Sequence, residues 1–212
     1  MENNTYPFVN LPLPYEYDAL EPYIDARTMA IHHERYAEAY VTRLNMVLAD
    51  YPGLQALTLE QLIQNADSLP KALQVPIRNY AGGIYNHRLY FNGLAPPSDK
   101  EPKGKLLELI NSQYGSLTVF KEILMEEALS VFGSGYTWLI YDKGRLVILT
   151  SPNQNTPVEQ KKCTILNLDV WEHAYYLKHY NRRGDYIADW FNVVNWDKAN
   201  ENFLECVRQQ FR

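Results

Sequence analysis

The stretch Gly133-Ser134-Gly135-Tyr136-Thr137-Trp138-Leu139-Ile140-Tyr141-Asp142-Lys143-Gly144-Arg145-Leu146-Val147-Ile148-Leu149-Thr150 is where the hydrophobic period of the chain changes. Upstream of it, apolar residues return every three or four positions. Here two β-rich runs, Tyr136 to Tyr141 and Arg145 to Thr150, flank Asp142-Lys143-Gly144, which has the composition of a hairpin turn. Thr164 to Val170 reads as a third strand, and two closing helices are punctuated by Asp185 and by Trp196-Asp197. The expected fold class is α+β: an N-terminal α-helical hairpin domain, residues 1–95, followed by an α+β domain with a small three-stranded antiparallel sheet, residues 96–212.

Pro7, Pro12, Pro14 and Pro22 keep residues 5–22 out of any helix. From Ile24 to about Ala49 the positions Met29, His32, Tyr36, Tyr40, Leu44 and Val47 share one helical face, and Pro52-Gly53 ends the helix. Thr58-Leu59-Glu60-Gln61 has the form of a capping box opening a short helix. A second long helix is expected from about Leu73 to Leu94, with the stripe Leu73, Ile77, Tyr80, Ile84, His87, Phe91 and Leu94 facing a partner helix. Gly82-Gly83 in its middle costs ~1 kcal/mol per residue against Ala, so the pair implies a close approach to the backbone one turn before His87. Residues 95–102, rich in proline and charge, read as a linker, with helices after it at about 103–113 and 117–131.

The 212 residues are 46% hydrophobic and 21% charged, which excludes disorder and collagen-like structure. A net charge of -5 argues against a sequence-independent nucleic-acid binder. No run of eighteen apolar residues exists to span a membrane. The opening Met1-Glu2-Asn3-Asn4-Thr5-Tyr6 lacks the basic and apolar regions of a signal peptide. Cys163 and Cys206, the only two cysteines, form no framework, so two free thiols in a reducing cytoplasm are expected. The compositional oddity is 17 Tyr, beside 7 Phe and 4 Trp, a residue suited to half-wet interiors and interfaces.

Of five histidines (His32, His33, His87, His173 and His179), His32 and His87 lie on the apolar stripes of the two long helices. Each alone is an ordinary core histidine, but two facing each other across a hairpin form a familiar beginning of a metal site. In Asp169-Val170-Trp171-Glu172-His173 a carboxylate at a strand end precedes a histidine by four residues. Asp169 could equally cap the following helix. Together the three imidazoles and one carboxylate suit Mn, Fe or Zn better than Ca or Cu(I).

Asp169-Val170-Trp171-Glu172-His173-Ala174-Tyr175-Tyr176 resembles the C-terminal signature of the iron/manganese superoxide dismutases, and the likeness extends over nearly the whole chain. It includes Leu13-Pro14-Tyr15, Thr28-Met29-Ala30-Ile31-His32-His33, Tyr85-Asn86-His87, Phe132-Gly133-Ser134-Gly135-Tyr136-Thr137-Trp138-Leu139 and Asn195-Trp196. The resemblance implies that His32, His87, Asp169 and His173 bind one metal between the two domains, with solvent as a fifth ligand. It favours His32 over His33. It makes Tyr40 the gateway tyrosine and assigns Glu172 to the metal-bound histidine of another subunit. Arg183 borders the substrate funnel, with Arg35 a further candidate for a local positive field. Trp138 and Trp171 fall in the layer around the site. Iron-type relatives place a glutamine four residues before the second histidine, where this chain has Gly83; manganese-type relatives place it where this chain has Gln154. One Mn per subunit is therefore expected, with Fe as the alternative, and Gly83 is expected to leave the space that Gln154 enters.

The same resemblance implies superoxide as substrate and a homodimer, with a tetramer as the alternative. A non-enzymatic binding protein on the same fold is the reading from a different class, which loss of a ligand would have favoured. This chain departs from the pattern at Tyr36 and Ala37, where relatives carry a histidine pair, and at Tyr85 and Tyr136, where tryptophans are common. A Tyr36–Tyr176 contact across the dimer is expected in place of the histidine contact. A phenol does not take up a proton near neutral pH as imidazole does.

Overall fold

The first long helix starts at a side-chain cap: Asp25 Oδ1 accepts from the Thr28 backbone N–H at 2.9 Å. The computed structural model describes residues 3–210, so Met1 and Glu2 of the opening stretch lie outside the described residues. Helix α1 (Ala26–Ile31) passes into a π-helical segment (His32–Ala37) and on into α2 (Glu38–Ala49). The sequence pattern predicts one regular helix here; a widened turn begins instead at the first histidine, a distortion frequent at functional sites. α3 (Leu59–Gln64) opens on the expected capping box, with Thr58 Oγ1 accepting from the Gln61 N–H and Gln61 Oε1 from the Thr58 N–H. α4 (Lys71–Asn92) is the second arm of the hairpin and packs against α2 and α3.

The second half begins with α5 (Gly104–Tyr114) and α6 (Leu117–Ser130). The strands β1 (Gly135–Asp142), β2 (Arg145–Pro152) and β3 (Cys163–Asp169) form an antiparallel sheet of order β2-β1-β3. The hairpin turn has Lys143 at φ 49° and Gly144 at φ 81°, the left-handed pair of a two-residue turn. α7 (Tyr176–His179), α8 (Arg183–Trp190) and α9 (Trp196–Gln210) close the chain.

β1 is the central strand and is buried on both faces, which explains its nearly unbroken apolar run. Tyr136, Trp138 and Ile140 face Tyr85 and Leu89 of α4, while Leu139 and Tyr141 join the core of the second half. One apolar cluster (Val41, Leu44, Leu48, Leu62, Ile77, Ile84) holds the hairpin together. The larger one combines Met29, Tyr90, Phe91 and Leu94 of the hairpin with Leu124, Leu166, Trp190 and Phe203. The two halves therefore share a core, and β3 delivers its last residue, Asp169, to their junction. None of the described helices is long and apolar enough to cross a membrane.

The cysteine expectation is overturned. Cys163 and Cys206 are joined in a disulfide, their Cα atoms 5.5 Å apart, tying the start of β3 to α9 across 43 residues. Two cysteines far apart in sequence look unrelated until β3 and α9 pack together.

Candidate metal centre

Four side chains from separate elements converge at the junction. His32 lies at the start of the π segment, His87 on α4, Asp169 at the end of β3 and His173 in the 3₁₀ turn Glu172–Ala174. Asp169 Oδ2 lies 3.3 Å from His32 Nε2, 3.9 Å from His87 Nε2 and 3.6 Å from His173 Nε2. One ligand atom from each of the four falls within 4.8 Å of the others. His33, by contrast, turns away and engages Tyr17 and the Leu11 carbonyl.

The donor atoms themselves show that this cluster fits an ion. Asp169 Oδ2 and the Nε2 atoms of His32, His87 and His173 are all buried without a hydrogen-bond partner among the described residues. Buried polar atoms are rarely left unpaired, and four converging ones call for a cation. Asp169 does both of the jobs the sequence allowed. Its Oδ1 accepts from the Trp171 N–H at 2.9 Å and shapes the turn, leaving Oδ2 for the centre. His87 Nδ1 is 2.7 Å from the Gly83 carbonyl, so the proton resides there and Nε2 is left bare to hold an ion. Below Asp169, the Tyr186 hydroxyl donates to its backbone carbonyl at 2.9 Å and is itself 2.9 Å from Tyr90 Oη.

Burial pushes His32 down to about 4 and His87 down to about 3, with the neighbouring imidazoles acting in the same direction. Asp169 feels a burial penalty that raises it, but the close approach of His173 and His32 outweighs this and holds it well below the usual carboxylate range. Neutral imidazoles beside an ionised carboxylate are the protonation states that metal binding requires. The sign for stability follows: the unfolded histidines take up protons near pH 6.5, the folded ones only near 4 and below. The metal-free protein is therefore expected to lose stability steadily as pH falls from about 6.5 to about 4. Urea midpoints at several pH values check this, and a flat profile across that window would contradict it.

Gln154, in the turn after β2, is 2% exposed although it belongs to a loop. Its Nε2 donates to Tyr40 Oη at 3.0 Å and its Oε1 accepts from Asn86 Nδ2, also at 3.0 Å. Asn86 additionally donates to the Gln154 backbone carbonyl, and Asn167 Nδ2 on β3 donates to the Asn86 carbonyl. Asn86 and Asn167 are not singled out by the sequence reading. Asn86 stands beside His87 in a quoted motif, but its partner is 68 positions away and only the fold reveals it.

The glycine pair works differently from the expectation. A Cβ on Gly82, not Gly83, would collide with Gln154, and with its backbone carbonyl rather than its side chain. A Cβ on Gly83 would lie 2.6 Å from the Tyr40 ring. Gly82 thus admits the loop and Gly83 admits the tyrosine. Gly82→Ala gains ~1 kcal/mol in helix propensity but forces a rigid loop away, so a net loss of about 1–3 kcal/mol is expected by urea denaturation.

The tyrosines surround the centre. Tyr40 lies 5.3 Å, ring to ring, from His87, and burial pushes its hydroxyl up to about 12. Tyr36 is stacked on His173 at 4.1 Å and is 42% exposed, forming the outer cover of that ligand. Tyr136 is directly opposite Asp169 in the sheet, and its fully buried hydroxyl has no hydrogen-bond partner among the described residues. Burial, then Asp169, raise its pKa. Tyr85 Oη instead pairs with Thr164 Oγ1, away from the ligands. Trp138 Nε1 donates to Ser151 Oγ and its ring is 5.7 Å from that of Tyr136. Trp171 lies 5.4 Å from His173 and donates to the Asn153 carbonyl.

Arg183 is less free than the sequence suggests. Its guanidinium donates to Tyr175 Oη and to the carbonyls of Val131 and Gly133, pinning the turn before β1. Arg35, Glu172 and Tyr176 are exposed, and within the chain Tyr176 lies ring to ring with Tyr180 at 6.4 Å.

Two family profiles match the chain: "Iron/manganese superoxide dismutases, alpha-hairpin domain" over residues 7–95, and the C-terminal domain of the same family over residues 102–202. The chain is 47% identical to a manganese superoxide dismutase of Thermus thermophilus over 202 residues, covering 95% of this chain and 99% of the relative. It is 41% identical over 198 residues to manganese superoxide dismutases of Bacillus anthracis and Bacillus cereus, covering 93% of this chain and 95% of each relative.

Proposed function

Because the chain belongs to the iron/manganese superoxide dismutase family, we propose that it converts two superoxide anions and two protons into oxygen and hydrogen peroxide at one manganese ion per subunit. The single observation that carries this is the convergence of four unpartnered donor atoms, three imidazole and one carboxylate, in a buried pocket. The manganese would be held by His32, His87, Asp169 and His173 and would supply the electron exchange, alternately taking an electron from one superoxide and giving it to the next. Zinc has no such redox change.

The protein's own part is charge, protons and access. Asp169 brings one fixed negative charge to a site otherwise built of imidazoles. Gln154 offers its remaining Nε2 proton to the space beside the ligands, where it would orient bound solvent and tune its acidity. The same amide donates to Tyr40 Oη, so the Tyr40 hydroxyl keeps its own proton free to donate outward. With its pKa pushed up to about 12, Tyr40 is protonated at neutral pH, as a proton donor to arriving substrate must be. Tyr36 shields His173 from water. Arg183 contributes positive charge near the entrance against an overall charge of -5 while its hydrogen bonds hold the 131–133 turn.

We assign residues 1–95 and 96–212 as the two domains, and a homodimer as the working state. Phe132 is fully exposed, and the Arg183 anchors bring its turn beside Tyr175 and the exposed Glu172 and Tyr176. That face suits Glu172 reaching His173 of a second copy. We also assign the protein to the cytoplasm, where a disulfide is expected to be transient rather than permanent.

Reconstitution of metal-free protein separately with Mn and Fe, with metal content and superoxide removal measured for each, tests the assignment. Activity with Mn at one ion per chain is expected; stoichiometric Mn without superoxide removal would sink it. Activity confined to the iron form would replace manganese by iron.

A further inference from the structure

We propose that Cys163 and Cys206 form a reversible staple, closed by hydrogen peroxide and opened by dithiols, that fastens α9 to the strand carrying Asp169. The oxidant is the product of the dismutation proposed above, and to that extent the inference rests on it. These are the only cysteines of the chain, so the pair has no alternative partner within it.

The two sulfurs differ in exposure in the way a peroxide-reactive pair requires. Cys163, at the first position of β3, is partly exposed, whereas Cys206 on α9 is 1% exposed. Both line an open cleft of 710 Å³, together with Lys161, Lys162 and Asn202. Peroxide therefore reaches Cys163 first. In the first step the Cys163 thiolate attacks one peroxide oxygen. The O–O bond breaks, and the departing hydroxide is protonated to water. In the second step Cys206 attacks the Cys163 sulfenic acid, its proton leaves with the displaced hydroxide as a second water, and the S–S bond forms. Two thiols and one hydrogen peroxide yield one disulfide and two waters, a two-electron oxidation of the protein. Opening occurs by thiol–disulfide exchange, with the attacking dithiol oxidised in turn.

Opening does not release α9. Asn202 Nδ2 still donates to the Ile165 carbonyl at 2.9 Å, and Trp196, Ala199 and Phe203 remain buried against the sheet side of the core. What changes is the freedom of the unfolded chain and the firmness with which β3 is held at the end opposite Asp169.

The test uses the holoprotein reduced with dithiothreitol, freed of reductant and treated anaerobically with hydrogen peroxide, with free thiols counted by a chromogenic disulfide reagent. One peroxide is expected to remove both thiols faster than it oxidises free cysteine at the same pH, and to raise Tm by roughly 5–15 °C. Cys206→Ser is expected to stop at a sulfenic acid that dimedone traps at Cys163, and Cys163→Ser to leave Cys206 unreacted, both with superoxide removal unchanged. Thiols that survive peroxide, or react no faster than free cysteine, overturn the staple. Trapping at Cys206 in the Cys163→Ser protein as fast as at Cys163 in Cys206→Ser overturns the assigned order of attack. Superoxide removal is measured on the same samples: an active enzyme with unreactive thiols refutes the staple alone. A staple that closes in a protein inert toward superoxide refutes the dismutation alone.

Discussion

Asp169→Asn is expected to retain the fold and lose the metal. The asparagine keeps an oxygen for the Trp171 N–H, so the 169–173 turn survives. It removes the one anionic donor facing His32, His87 and His173. Residues that merely support a ligand are worth 10–100-fold in metal affinity, and a directly bonded carboxylate more. A loss on the order of 10³-fold, about 4 kcal/mol, is therefore expected. Added Mn should raise the Tm of the parent protein and leave that of the variant unmoved, because only a ligand that binds the folded state stabilises it. Superoxide removal should fall with the bound metal. A variant that still carries one Mn per chain after dialysis would remove Asp169 from the ligand set.

Gln154→Ala is expected to give the opposite separation, with metal retained and turnover lost. The side chain touches Tyr40 and Asn86 but is not one of the four converging donors. Its removal frees Tyr40 Oη, deprives Asn86 of an acceptor and lets water into the space beside the ligands. A 10–100-fold fall in kcat is expected, the range for groups that orient and tune a metal's surroundings. The visible spectrum of the oxidised manganese form should shift as well, a change that mere loosening of the loop would not produce in a site with intact ligands. Asn86 Nδ2 loses one of its two bonds but keeps the one to the backbone carbonyl at 154, so a stability loss of only about 1 kcal/mol accompanies this. Full activity with an unchanged spectrum would leave Gln154 as a structural link between loop and helix.

Much of this molecule is written locally. The period change at Gly133–Gly135 marks the border between helices and sheet, because strands buried on two faces need an apolar run and helices packed on one need a stripe. His32 and His87 are found on those stripes, and the Asp169–His173 spacing places one at the end of a strand and the other in the turn that follows it. Where local pattern ended, expectation failed in specific ways. The π turn at His32–Ala37 leaves no mark in hydrophobic spacing, since it is imposed by what surrounds the ligand. Gly82 and Gly83 are equivalent in sequence, yet one faces a loop backbone and the other an aromatic ring. Arg183 offers a positive charge in any reading, but its three anchors depend on a turn some fifty residues earlier.

The sequence by itself determined which residues could bind a metal, which half is helical and which is mixed, and, through its likeness to a known family, the reaction to expect. Those properties depend on residue type and on neighbours within a few turns of chain. Only the tertiary structure decided that Cys163 meets Cys206, that Asn86 holds Gln154, and that Tyr136 stands opposite Asp169 in the sheet with a buried hydroxyl. Each of these joins or aligns groups far apart in the chain, and such contacts are fixed by how helices and sheet pack rather than by any pattern along the sequence.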